Sequence, residues 1–494
     1  MSAVTYARRQ PEHTVLHRVV TARWGAAQEL CRDASDGAAL PDFIVNAVQR
    51  YLGCGDLKRG MVRIHCHGCG QDLFVAVSCK VRGMCPSCDG KRMTEMSSHL
   101  VDSVLPAVPM RQWVLSLPYD LRYLLAWNMP LRSAVLSAFM RAVQRHYVQQ
   151  AKMGGVANPQ TGAISVVQRF NSALQLDVHF HVLFADGVWS EQDGAVTFHP
   201  AEVLNTLDVQ AVILDAACRI ARQLKRFGYA DDDEPAPFDA SDPAHAQLLR
   251  AAIQGRQLTG AEAGSPLAAA WATRAAPRPV SRNCAELGGY SLHANTRVHE
   301  VARDRLEQLC KYLLRPAVSA SRLELLDNGR VRLALKTTWR NGVTHVTMPQ
   351  ADLILRMCAQ IPLPRRPSLR YHGVFAPAAR LRSKIVPAGD QARCRRKNLA
   401  EGCKRETSTR LAWSEALKRA FREDILQCQC GSRRVVLAAV LARGECERIV
   451  RHLAVANPED FVAIRGPPAE FEFVDAGPDP WDLPDVDPGD ELAA

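Results

Sequence analysis

At 494 residues, with 47% hydrophobic and 23% charged residues, the chain is too long for one ordinary core and too apolar for a disordered one; roughly two to four domains are expected. A formal net charge of +11 points to a polyanionic partner, nucleic acid first, with an inert basic surface as the plainer alternative. No run reaches the ~18 apolar residues of a membrane helix, and "MSAVTYARRQPEHTVLHRVV" has no apolar signal core, so a cytoplasmic protein without membrane contact is expected, its sixteen cysteines reduced.

Residues 1–50 read as helical, with Val15, Val19 and Val20, then Phe43, Val45 and Val48, at helical spacings. From Cys54 to Cys88 the chain turns Cys- and Gly-rich and short-stranded. "CHGCGQDLFVAVSCKVRGMCPSC" holds Cys66-x2-Cys69 and Cys85-x2-Cys88, with fifteen residues between the inner cysteines. Each such turn lets two thiolates converge on one ion, so the two pairs are expected to complete one tetrahedral structural Zn2+ site. A core-poor segment gains its folding energy from such an ion. Cys54 and Cys79, with His65 or His67, read as packing nearby, as alternate ligands or as a second site. Two paired motifs argue against a redox Cys-x-x-Cys. Cys428-x-Cys430 is too closely spaced and isolated to read as a metal site.

"TEMSSHLVDSVLP" reads as a connecting helix capped by Thr94, and "RQWVLSLP" as a strand ended by Pro118. Helices broken at Pro130 follow, then strands "AISVVQRF" and "LQLDVHFHVLFADGVW", the second running into a turn at Asp186-Gly187. In that strand His179 and His181 project from one face while Phe180 points the other way. Two neighbouring imidazoles suit a divalent cation with positions left open for an oxygen-bearing substrate, although any strand can show His-x-His. A third ligand is expected, because two imidazoles rarely suffice; His293 in "GYSLHA" is the candidate, with Asp177, Gln168 or a Glu open. Residues 229–281, rich in Ala, Pro, Asp and Ser, read as a surface insertion and not core.

"ARDRLEQLCKYLLRP" is an amphipathic helix with Leu306, Leu309, Leu313 and Leu314 on one side. On periodicity alone its Tyr312 is a core aromatic. "RVRLALKTTW" and "VTHVTMP" alternate like a hairpin around Asn341-Gly342. A basic stretch spans Arg365 to Arg405, and the last twenty residues carry seven acidic side chains and no basic one. That tail is expected to be disordered and to compete with nucleic acid.

The paired histidines preceded by "VQRFNSALQLD" resemble the signature of HUH single-strand nucleases, and more closely the rolling-circle transposases of the insertion-sequence ninety-one family and its common-region relatives. "SCKVRGMCPSCDGKRM" is similar to that family's zinc-binding domain; "QWVLSLPYDLRYLL", "LCKYLLRPAVSASRL" and "YHGVFAPAARLRSKIVP" resemble its later blocks, in order from about Cys54 to Pro387. The resemblance implies an α+β fold: a zinc-ribbon-like module of about residues 40–95, then a ferredoxin-like antiparallel sheet with His179 and His181 on a central strand. The organisation expected is a helical N-terminus and zinc module over 1–100, a nuclease domain over 105–320 with its insertion at 229–281, a basic DNA-binding region over 321–450 and an acidic tail over 470–494.

In that family a helix-borne tyrosine attacks a DNA phosphorus and stays joined to the 5′ end; Tyr312 in "CKYLLRP" matches it. A phenol near pKa ~10 is a weak nucleophile, so a divalent ion, Mg2+ or Mn2+, is expected beside it. The protein–DNA bond conserves the energy of the cleaved linkage, and no Gly-x4-Gly-Lys-Ser/Thr loop for ATP is found. Two-tyrosine members carry a second tyrosine one turn earlier, where this chain has Gln308. A single nucleophile follows, either reused or joined by that of a second subunit in a homodimer. Arg315, Arg370, Arg380, Arg382 and Lys384 are candidates to neutralise phosphates, and Tyr371 and His372 to stack bases. The expected activity is metal-dependent nicking and rejoining of single-stranded DNA at the ends of a bacterial insertion element. The rivals are a zinc-dependent DNA-binding regulator without catalysis, and a plasmid replication initiator or relaxase.

Overall fold

The computed structural model describes residues 11–35, 37–229, 244–245, 248–249, 252, 268–271, 282–336, 338, 342–387 and 424–456. Helix α1 (Val15–Asp33) starts where the Thr14 hydroxyl accepts the His17 amide at 3.3 Å, and α2 (Asp42–Leu52) follows. Strands β1 (Met61–His65) and β2 (Asp72–Ala76) pair antiparallel, and α3 (Pro86–Ser103) leads out of this module. The helix thus begins at Pro86, not at Thr94. A proline in the first turn needs no N–H acceptor, whereas Thr94 is buried mid-helix and donates to the Gly90 carbonyl at 3.2 Å.

The central antiparallel sheet is built from β3 (Met110–Ser116), β4 (Gly162–Phe170), β5 (Leu176–Ala185), β9 (Cys284–Leu287), β10 (Tyr290–His293), β11 (Arg297–Val298) and β15 (Leu369–Gly373). Its order is β15-β4-β5-β3-β10-β9, with β11 also on β3, so β5 lies inside as expected. Alternation along β5 sorts its side chains between two cores. Val178, Phe180, Val182 and Phe184 join Trp113 and Leu115 in one cluster, which also takes residues of α4 (Tyr119–Trp127), α5 (Met129–Met153) and α6 (Thr206–Arg226). Leu183 and Ala185, on the histidine face, join Ile164, Val166 and α7 (Arg303–Leu313), which packs on α3. Pro130 breaks the helices as expected, because it sits in the first turn of α5, where the Asn128 side chain accepts the Leu131 amide at 3.0 Å.

Asp186-Gly187 is not the expected hairpin turn. The chain passes through it into β6 (Gly187–Gln192), which pairs with β7 (Ala195–Pro200), and the hairpin turn falls at Asp193-Gly194, both with positive φ. Gly187 is instead required by crowding: a Cβ there would lie 2.3 Å from the His199 carbonyl. Asp186 accepts Arg111 at 2.8 and 3.1 Å, Arg297 at 2.7 Å and the Tyr147 hydroxyl at 2.9 Å. Asp186→Ala strands the buried Arg111 guanidinium, and a loss of about 3–5 kcal/mol is expected in urea unfolding. A loss below ~1 kcal/mol would contradict this account.

Residues 229–281 are not wholly peripheral. Ala244, Leu248, Leu249 and Ala252 are buried in the larger core. β8 (Ala268–Trp271) pairs with β14 (Val343–Pro349) in a sheet completed by β12 (Leu323–Leu325) and β13 (Arg330–Ala334). Composition concealed a helical spacing of apolar residues. The β13–β14 hairpin forms as expected, with Gly342 at φ 87° before β14, while Asn341 and the acidic tail lie outside the described residues. Nor does the sheet stop at the expected boundary of 320. β15 adds to β4, and β16 (Val435–Val440) adds to β1, so the C-terminal region supplies strands to both preceding units. Helix α8 (Gln350–Gln360) packs on α1, and α9 (Arg443–Ala456) follows β16. Among the described residues no helix is long and apolar enough to cross a membrane.

Candidate active site and metal centres

His179 and His181 stand side by side on β5, ring centroids 4.8 Å apart and nearly edge to face. The Asp177 carbonyl lies 3.1 Å from His179 Nδ1, which donates to it and leaves Nε2 as a lone-pair ligand. Gln112 Nε2 of β3 lies 2.8 Å from His181 Nδ1. Turning that amide over brings its oxygen to Nδ1–H and presents the His181 Nε2 lone pair; His181 Nε2 is buried and has no hydrogen-bond partner. Burial lowers both imidazoles below their ordinary range, and for His181 the neighbouring His179 and Arg315 lower it further. Both rings are therefore neutral near pH 7, the form a cation requires.

Tyr312 reaches the pair from α7, its ring edge-on to His181 with centroids 5.8 Å apart. The Arg315 guanidinium lies 4.4 Å and the Lys336 ammonium 4.8 Å from the centre of the tyrosine ring. Gln168 of β4 stands directly across the ladder from His179 on the same face. Its Nε2 donates to the Tyr312 and Leu313 carbonyls at 3.2 and 3.0 Å, tying α7 to the sheet, while its buried Oε1 has no hydrogen-bond partner. Gln168 Oε1 and His181 Nε2, both buried without a hydrogen-bond partner on one face of the sheet, are of the donor type a divalent cation takes.

His293 does not join them. It pairs across β10 with Val114 of β3, which in turn pairs with His181, so a whole strand intervenes and the lateral separation is about 9–10 Å. Its Nε2 meets Ser291 Oγ at 3.1 Å and Cys284 Sγ at 3.4 Å, and burial lowers it to about 4. It is a satisfied structural histidine. Among the described residues no third His, Cys, Asp or Glu completes a group with the pair.

The basic candidates separate. Arg315 and Arg370 line a groove shared with Gln168 and Phe170. Arg370 and His372 share one face of β15, bonded to Ser133 at 3.1 Å and Ser165 at 2.8 Å; Tyr371 points to the other, with Arg382 over its ring at 5.6 Å. Arg380 and Lys384 pair with Glu191 of β6 at 2.5 and 2.7 Å, away from that groove's lining.

The cysteines form two clusters, not the single site expected. Cys85 and Cys88 join Cys54 and Cys79, with sulfur separations of 3.4–3.7 Å. Tetrahedral Zn–S bonds of about 2.3 Å space sulfurs about 3.8 Å apart, so this buried set fits zinc. The Cys79 amide adds an N–H toward Cys54 Sγ at 3.5 Å. Cys66 and Cys69 face Cys428 and Cys430 instead. A Cys-x2-Cys turn is local, but what completes its tetrahedron is decided by distant chain. Gln112 and Lys336 were also invisible, since only register and packing bring them to the site.

Residues 162–383 match a family model described as "Putative transposase", and residues 26–117 match that of the transposase zinc-binding domain. Among curated proteins, the transposase for insertion sequence element IS801 of Pseudomonas savastanoi pv. phaseolicola is 24% identical over 412 residues, covering 81% of this chain and 85% of that protein. No solved structure matches. The first matched span contains His179, His181 and Tyr312, and the second contains Cys54, Cys79, Cys85 and Cys88.

Proposed function

Because this chain belongs to the insertion-sequence transposases of the IS91/IS801 type, we propose that it nicks and rejoins single-stranded DNA through a 5′-phosphotyrosine at Tyr312, in rolling-circle transposition. The observation that carries the reading is the Tyr312 ring set against His181, 5.8 Å between centroids, within a buried pocket of neutral imidazoles. In the forward step a bond forms between Tyr312 Oη and phosphorus while the P–O3′ bond breaks. The electron pair leaves on O3′, which takes up a proton, and the phenol gives one up to solvent. Rejoining is the reverse, with a 3′ hydroxyl displacing the tyrosine. His179, His181 and Gln168 would hold Mg2+ or Mn2+, which when bound supplies charge stabilisation at the phosphate. Arg315 and Lys336 add two fixed positive charges where phosphoryl charge develops.

A groove beside the site suits the anionic strand. It runs between the zinc module and the sheet and takes in Arg82, Arg132, Arg169, Arg315, Arg366 and Arg370. Arg169 donates to the Ala126 and Ala359 carbonyls at 3.2 Å each, while its buried Nε has no hydrogen-bond partner. Burial first, and neighbouring arginines with it, lower Arg169 to about 9 and Arg132 to about 10. Asp89, the one acid of the lining, is engaged by Arg92 and the Gly83 amide at 2.7 Å each. Desolvated like charges of this kind call for an anion, and Phe170 offers a base a stacking surface.

The test uses 3′-labelled oligonucleotides tiling the ends of the element that encodes the chain, with Mg2+ or Mn2+. Label carried by the protein through denaturation supports the reading, and binding without any adduct would favour a non-catalytic regulator. Arg366→Ala/Arg370→Ala is expected to weaken binding to all single-stranded sequences alike. It should also flatten the salt dependence of log Kd by about 1.4, or about 0.7 per lost phosphate contact. An unchanged slope would place the strand elsewhere.

A further inference from the structure

We propose that Cys66, Cys69, Cys428 and Cys430 bind a second zinc ion, which staples the C-terminal segment to the N-terminal module. The four sulfurs lie within 4.8 Å of one another, with Cys66–Cys430 at 3.5 Å and Cys69–Cys428 at 3.6 Å. Each pair sits in a tight turn closed by the amide of the glycine that follows it. The Gly70 amide donates to the Cys66 carbonyl at 2.8 Å, and the Gly431 amide to the Cys428 carbonyl at 3.0 Å. Both glycines follow the second cysteine in left-handed backbone, at φ 71° and 86°, which side chains rarely adopt. The Cys66 amide donates to Gln71 and the Cys428 amide to Ser432, each at 2.9 Å, closing the two knuckles.

The knuckles are pressed together. A Cβ on Gly68 would lie 2.2 Å from Ser432 Oγ and 3.5 Å from Cys430 Sγ, so the x positions of the first turn leave room for the second. Strand order β16-β1-β2 makes a three-stranded zinc ribbon whose outer strand comes from the far end of the chain. The pairs are 359 and 364 residues apart, and residues 428 and 430 fall outside both family matches. Apolar support is small: Ile64, Val75 and Ile425 in one cluster, and Leu57, Met61, Phe74, Cys446 and Val450 in another. Loop-closure cost grows only with the logarithm of length, so four thiolate bonds suffice to close even this loop. The sulfur spacing is the edge of a zinc tetrahedron and not a disulfide.

The experiment uses the full chain. Elemental analysis should give two zinc ions per wild-type chain and one in Cys428→Ser/Cys430→Ser. Cys430→His, which keeps a ligand, should restore two. Trypsin should cut within 424–456 at least about tenfold faster in the serine variant. In the wild type, exposed Cys69 and Cys430 should resist iodoacetamide until a chelator is added. One zinc in the wild type, two in the serine variant, or alkylation of both thiols in the zinc-loaded wild type would overturn the proposal. The alkylation arm stands even if the serine variant fails to fold.

Discussion

Tyr312→Phe is expected to abolish covalent protein–DNA adduct, with strand cleavage falling by about a thousandfold or more, roughly 4 kcal/mol of barrier. The substitution removes one oxygen and keeps the aromatic ring. The edge-on contact to His181 and the Arg315 and Lys336 contacts depend on that ring, so fold and single-strand binding should persist. Adduct is read on a denaturing gel and binding by anisotropy without added Mg2+ or Mn2+. Adduct formation at the wild-type rate would remove Tyr312 from the chemistry. Among the described residues α7 carries no other tyrosine, and Gln308 stands one turn earlier, so no nearby phenol on that helix would substitute.

His181→Ala is expected to lower cleavage by about two to three orders of magnitude, in line with losing one preorganised electrostatic group. His181 is 1% exposed, and its removal leaves Gln112 without its imidazole partner, so some stability is lost as well. Zinc content and single-strand binding without added Mg2+ or Mn2+ separate the two effects. Loss of cleavage with both retained supports the histidine as a ligand; loss of all three together, or no loss of cleavage, refutes that role. Raising Mn2+ should recover part of the activity, because a site with one ligand missing binds its ion more weakly.

The histidine-bearing strand was legible because its pattern is local. Strand geometry alone puts His179 and His181 on one face and Val178, Phe180, Val182 and Phe184 on the other, and the cores divide in that way. The choice of His293 as third ligand failed for want of register: β3 lies between its strand and β5, whereas β4 brings Gln168 opposite His179. The Asp-Gly rule was sound but applied one pair too early, since Asp186 is consumed by Arg111, Arg297 and Tyr147.

By itself the amino-acid order determined the helix and strand periods, the twin imidazoles and the thiol-bearing turns, all features set by neighbours a few residues apart. Tertiary structure alone decided which thiols cluster and which amides face the histidines, and it set Tyr312, already singled out by its block of sequence, against His181. These depend on contacts across tens to hundreds of residues, and nothing local to the Cys66–Cys69 or Cys85–Cys88 turn specifies which distant thiols join it.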